Sequence, residues 1–115
     1  MEEKKDRRII RTKKLIVDAL ISILKEKSVE NITVSELAKK ADITRATFYQ
    51  YYKSPVEMLE TLQNEITYDV EEIVLETEGG DAYGFFNRLF NYFYNNPQKG
   101  KLLSFPINNI SGQEK

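Results

Sequence analysis

Apolar residues recur along this chain three and four positions apart, and period-2 alternation never persists, so the pattern predicts helix nearly throughout. Ile9, Leu15, Ile16, Ala19, Leu20, Ile23 and Leu24 give one apolar face to a first helix. It starts around Arg8 to Thr12 and ends in Lys25-Glu26-Lys27-Ser28, with a turn running on to Asn31. Thr33 and Glu36 have the spacing of a capping box, in which hydroxyl and carboxylate each satisfy the other's backbone amide. They open a short second helix through Ala41 that buries Val34, Leu37, Ala38 and Ala41. Asp42-Ile43-Thr44 is a three-residue break with Thr44 as a new N-cap. The third helix is expected over 45–52, with Phe48 and Tyr52 turned inward and Tyr49 and Tyr51 off that face.

Ser54-Pro55 restarts the chain: Ser54 caps, Pro55 takes the first helical position where no amide hydrogen is needed, and Glu57 completes a capping box. The fourth helix is long. Val56, Leu59, Leu62, Ile66, Val70 and Ile73 hold one stripe to about Thr77, and the opposite face is acidic. Gly79-Gly80 breaks it. A fifth helix is expected from Ala82 to Asn95 with Phe86, Leu89, Phe90 and Phe93 on one face. Asn96-Pro97 stops that helix and starts a short sixth through Leu102 and Leu103, and the chain after Phe105-Pro106 reads as a loose tail.

The fold class is therefore all-α: a three-helix bundle containing a helix-turn-helix, then a long connecting helix and one or two more. Two short helices meeting at a steep angle need small or apolar residues at the junction, which Ala38, Ala41 and Ile43 supply. The second of the pair can then project its first residues into a major groove.

Composition removes most chemistry. The 115 residues contain no cysteine and no histidine, which excludes disulfides, thiolate or imidazole metal sites and imidazole acid–base catalysis. Glu71 and Glu72 are adjacent and splay apart on a helix, so they suggest no metal site. No catalytic residue, metal or cofactor is expected. No apolar run approaches the ~20 residues of a membrane helix, and no signal-peptide stretch follows Met1-Glu2-Glu3-Lys4-Lys5, so a cytoplasmic protein without membrane contact is expected.

A net charge of −1 hides a strong polarity. Residues 1–53 hold 13 Lys or Arg against 8 Asp or Glu, a net of +5, whereas residues 54–115 hold 4 against 10, a net of −6. Such a molecule can turn its basic half to a polyanion and its acidic half away; an unevenly charged solvated surface is the plainer reading.

The stretch Arg8 to Leu62 resembles the DNA-binding domain of TetR-type transcriptional repressors. The resemblance rests on Asn31-Ile32-Thr33-Val34-Ser35-Glu36-Leu37-Ala38, on the run from Ala41 to Tyr52, and on the restart Lys53-Ser54-Pro55-Val56-Glu57-Met58-Leu59. It implies a DNA-binding domain over 8–68 and a shortened helical regulatory or dimerisation region over 69–115. By that resemblance Thr33 and Ser35 hydrogen-bond phosphates, and Arg45, Ala46 and Thr47 open the recognition helix. There an arginine can fork to a guanine and an alanine can pack on a thymine methyl. Tyr49 matches a tyrosine touching backbone and bases, with Gln50 beside it. Tyr51 stands where the family often has histidine, and Pro55 where it usually has lysine, with Lys53 close enough to substitute. Thr44 serves as a cap and can aim amides at a phosphate. The basic run Lys4, Lys5, Arg7, Arg8 and Arg11 is either a phosphate- or groove-contacting arm or a solubilising one.

The resemblance further implies double-stranded DNA with a palindromic operator as partner, a homodimer, and a small-molecule effector. TetR-type chains are usually longer, and nothing here resembles their late dimerisation helices. Eight of the thirteen aromatics fall in residues 83–105, more than one helix can bury against its neighbour. Tyr83, Phe86, Phe90 and Phe93 are the candidate ligand-binding residues. These aromatics meet a ligand, another chain or further residues, or remain partly exposed on a small bundle. The alternative function is a truncated helical interaction module that pairs with another regulator and lacks operator binding of its own.

Overall fold

The computed structural model describes residues 2–77 and 79–107, all helix and connecting turns, with no strand among them. α1 spans Glu2–Leu24, α2 Val34–Ala41, α3 Arg45–Tyr49, α4 Pro55–Glu76, α5 Ala82–Asn95 and α6 Pro97–Leu103. The expected loose tail beyond residue 107 lies outside the described residues.

α1 begins six residues earlier than its apolar face suggested, at Glu2 instead of Arg8. Its first turns are charged but, Asp6 aside, consist of good helix formers with no glycine or proline, so the backbone continues past the last buried side chain. Ile16, Ala19, Leu20, Ile23 and Leu24 are buried as expected, with Ile21 added; Leu15 is exposed and Ile9 only half-buried. Two neighbours, α2 and α6, cover α1, which widens its buried face beyond one stripe.

The expected turn after α1 contains a 3₁₀ turn over Val29–Asn31. Buried Val29 and Ile32 pull it inward, and Asn31 N–H to Ser28 O at 3.0 Å and Ile32 N–H to Val29 O at 3.1 Å close it.

The centre of the molecule is the junction of α1, α2, α3 and α4. Phe48, Ile16, Leu20, Leu37, Met58 and Leu59 are all fully enclosed there. α3 stops at Tyr49, three residues short of the expected end. Its last turn tightens, with Gln50 N–H bonding Thr47 O at 3.1 Å and Tyr51 N–H bonding Phe48 O at 2.9 Å. Ser54 must then be extended, because the residue before a proline is excluded from helix; its φ is −161°.

Ser54 Oγ accepts from the Glu57 amide at 3.1 Å, as a capping box requires. The Glu57 carboxylate, however, accepts from the Lys53 amide at 2.8 Å and not from Ser54, reaching one residue further back to hold the α3–α4 turn. α4 buries Met58, Leu59 and Ile66; Val56, Leu62, Val70 and Ile73 are half-buried. Thr77 ends it, its hydroxyl donating to Ile73 O at 2.7 Å.

Gly80 takes a φ of 89°, and Asp81 caps α5 by accepting from the Gly84 amide at 2.9 Å. α5 corrects the sequence expectation about its faces. Phe86 and Phe90 point to solvent, whereas Phe85, Leu89, Tyr92 and Phe93 are half-buried. Tyr92 fixes this choice: its phenol donates to Asp69 on α4 at 2.6 Å. The Lys99 ammonium lies 5.1 Å from the Tyr92 ring centroid and 3.5 Å from the same carboxylate. α6 is anchored by buried Leu102 and by Gln63, whose amide donates to Leu102 O at 2.9 Å and Phe105 O at 2.8 Å. Gln98 donates to Asp18, tying α6 to α1.

Candidate nucleic-acid interface

α2 opens on a complete capping box. Thr33 Oγ1 accepts from the Glu36 amide at 3.1 Å, and Glu36 Oε1 accepts from the Thr33 amide at 3.1 Å. Lys27, which the sequence did not single out, adds an ion pair to Glu36 at 3.0 Å. The backbone hydrogen bond to Thr33 and then this lysine hold the Glu36 carboxyl below its usual range. Thr33 and Ser35 are both exposed at this helix start.

The turn from α2 to α3 closes as a Schellman motif. Ile43 N–H bonds Ala38 O at 2.9 Å and Asp42 N–H bonds Lys39 O at 3.1 Å. This geometry demands a left-handed residue, and Asp42 supplies it with φ 62° and ψ 45°. Glycine is usual at such a position; aspartate is among the few side chains that tolerate it. The signal was present in the Ala-Asp-Ile break, but its spacing alone does not reveal the sign of φ.

Thr44 caps α3, accepting from the Thr47 amide at 3.0 Å and donating to Thr47 Oγ1 at 3.0 Å. Arg45 and Ala46 are exposed on the first turn and Thr47 is half-buried by the cap. Arg45 forms no ion pair among the described residues. Tyr49 is 56% exposed, Gln50 and Lys53 are exposed, and Tyr51 is half-buried. Phe48 and Tyr52, inward as expected, hold α3 from beneath; burial pushes the Tyr52 phenol upward, with Glu65 adding to the shift. Thr33, Ser35, Thr44, Arg45, Ala46, Thr47, Tyr49, Gln50, Tyr51 and Lys53 thus lie on α2, α3 and their flanking turns, none fully buried.

One neighbour escaped sequence reading. The Lys13 ammonium of α1 lies 5.7 Å from the Tyr51 ring centroid, within cation–π range. Nothing local in sequence joins the two residues. Arg7, Arg8 and Arg11 of the basic run are exposed on α1, which is helical here and not a separate arm; the side chains of Lys4 and Lys5 lie outside the described residues.

Residues 16–62 match the family model described as bacterial regulatory proteins, tetR family. That stretch is similar to the TetR-type helix-turn-helix domain. The matched segment takes in the last nine residues of α1, all of α2 and α3 and the first turns of α4. The chain is 39% identical over 62 residues to the uncharacterized HTH-type transcriptional regulator YxbF of Bacillus subtilis (strain 168), an alignment covering 53% of this chain and 16% of that protein. It is 32% identical over 72 residues to the uncharacterized HTH-type transcriptional regulator YvkB of the same organism, covering 63% of this chain and 38% of that protein. The chain therefore aligns with well under half the length of either relative. No described helix is long and apolar enough to cross a membrane.

The candidate ligand residues lie elsewhere, on α5, outside the matched stretch. Tyr83, Phe86 and Phe90 are exposed and Phe93 is half-buried. None of them lines the cleft of about 260 Å³ between α1, α4 and α6, whose walls include Ile10, Val17, Leu62 and Leu102 with Lys13 and Lys99.

Proposed function

We propose that the protein is a cytoplasmic, sequence-specific DNA-binding transcriptional regulator. It acts as a homodimeric repressor on a palindromic operator and is released by a small-molecule effector. The observation that carries the reading is the start of α3. Arg45 stands there exposed and without an ion pair among the described residues, on a capped helix held by the buried Phe48. Arg45, Ala46 and Thr47 read base edges, Thr33, Ser35, Thr44, Tyr51 and Lys53 meet phosphates, and Tyr49 touches both backbone and bases with Gln50 beside it. The net +5 of residues 1–53 faces the duplex and the acidic remainder faces away.

Selection of bound sequences from random duplexes, followed by anisotropy titration over a salt series, tests the reading. Arg45→Ala should weaken the selected site by about 1–3 kcal/mol and relax one base position. Lys53→Ala should weaken all sequences alike and lower the salt slope by about one. Salt-insensitive binding, or an Arg45→Ala variant indistinguishable from the native chain, would refute it.

The solvent-facing aromatics of α5 favour a second reading, an interaction module that titrates another regulator. A chain that captures a TetR-type partner but binds no duplex would establish it.

A further inference from the structure

α5 is the most aromatic helix of the molecule and has one charged residue, Arg88, whose guanidinium turns to Glu76 on α4 at 3.2 Å. Its outward side is an uncharged stripe. Tyr83, Phe86, Phe90 and Tyr94 are 81%, 63%, 64% and 72% exposed, with Asn87 and Asn91 between them. The rings are already ordered: Phe90 and Tyr94 stack at 5.7 Å, and Phe86 meets Phe85 edge-on at 5.1 Å. A contiguous aromatic face of this kind is rare on a monomer.

We infer that this face of α5 joins two copies of the chain through an antiparallel two-fold contact centred near Arg88 and Leu89. The pattern is close to its own mirror image. Tyr83 and Tyr94 lie at equal distances from the centre, and Phe86 and Phe90 lie inside them on opposite sides. An antiparallel pair therefore sets Tyr83 near Tyr94 of the second copy and brings the phenylalanines together across the axis, the self-complementarity that an isologous interface requires. The stripe brings no like charges onto that axis, and it offers none to attract a charged partner. An aromatic side chain buries about 150–250 Å², so four this exposed supply roughly 600 Å² per copy. The asparagines beside them extend that toward the roughly 800 Å² per partner of a standard interface. Ring–ring contacts present before association reduce the ordering cost of binding. The surface rests on the homodimer of the proposed function, and gives that dimer a seat outside the helix-turn-helix.

Sedimentation equilibrium of the full chain at tens of micromolar should give twice the 13.4 kDa chain mass. Phe86→Ser combined with Phe90→Ser should give a monomer of unchanged helical circular dichroism. Because the chain has no cysteine, a Tyr83→Cys, Tyr94→Cys double variant provides a check independent of that variant's folding. It should oxidise to a covalent dimer, while Lys39→Cys on α2 should not. A native chain that stays monomeric overturns the inference, whatever else then covers the face. A dimer that survives the serine pair, or the absence of a Tyr83–Tyr94 cross-link, overturns it equally. Failure of DNA recognition is separate: a dimer that binds no duplex refutes that recognition and leaves this surface standing, whereas a monomer that binds duplex refutes this surface together with the homodimer it rests on and leaves the recognition standing.

Discussion

Thr33 and Glu36 each hold the other's backbone amide, so the first turn of α2 is closed by two reciprocal hydrogen bonds of 3.1 Å at a point exposed to solvent. In the proposed complex the capping hydroxyl is also the one that meets a phosphate, and one substitution separates the two roles. Aspartate is as good an N-cap as threonine but repels a phosphate. Thr33→Asp should leave the urea midpoint nearly unchanged and lower duplex affinity at least tenfold. Thr33→Ala should lower stability by about 1 kcal/mol. Thr33→Asp binding duplex as tightly as the native chain would leave Thr33 with its capping role only.

Glu36 makes the same turn sensitive to acid. Its carboxyl titrates below the usual glutamate range in the folded chain, held there first by the Thr33 amide and then by Lys27. The contribution is present above the unfolded-state value and is lost as pH falls through the lower folded value. Glu36→Gln should therefore be less stable than the native chain near neutrality, with the gap closing on acidification below about pH 4.3. Urea denaturation of both chains across that range measures it; a gap independent of pH would show that the charge is irrelevant.

Asp42 carries the left-handed turn of the helix-turn-helix at φ 62°. Asp42→Gly should raise stability by up to about 1 kcal/mol by removing the Cβ penalty. Asp42→Val should lower it by about 1–2 kcal/mol, since a β-branched residue is poorly suited there. Thermal unfolding of the two variants gives opposite shifts if the turn is as described.

The Tyr92–Asp69 contact ties α4 to α5 together with the more exposed Arg88–Glu76 ion pair. Burial, and then the hydrogen bond to Asp69, push the Tyr92 phenol well above its ordinary range, so it stays a donor at any physiological pH. Tyr92→Phe should cost about 1 kcal/mol. It should also increase hydrogen exchange along α5 more than along α2, because α5 has no fully buried side chain to hold it otherwise.

The elements legible in sequence were those whose ends carry their own chemistry. α2, α4 and α6 begin where Thr33, Ser54-Pro55 and Asn96-Pro97 announce them, and α5 begins just past the Gly79-Gly80 break. α1 began earlier than read because nothing local distinguishes a charged helical turn from a charged arm. α3 ended earlier because Pro55 acts back through Ser54. On α5, aromatic residues occupy so much of the circumference that periodicity cannot choose between Phe86 and Phe85 or between Phe90 and Tyr92. The choice belongs to Asp69, twenty-three residues from Tyr92. The candidate interface residues were legible one by one, but Lys13 beside Tyr51 was not, since only the packing of α1 against the head brings them together.

That lysine alters what Tyr51 can do in the proposed complex. A histidine in its place would gain and lose charge between pH 5 and 8, making operator grip a function of cytoplasmic acidity. Here the ring is neutral and the cation beside it comes from another helix, and the chain has no histidine anywhere. In the proposed complex the contact at Tyr51 would therefore lack the charge change that a histidine undergoes between pH 5 and 8.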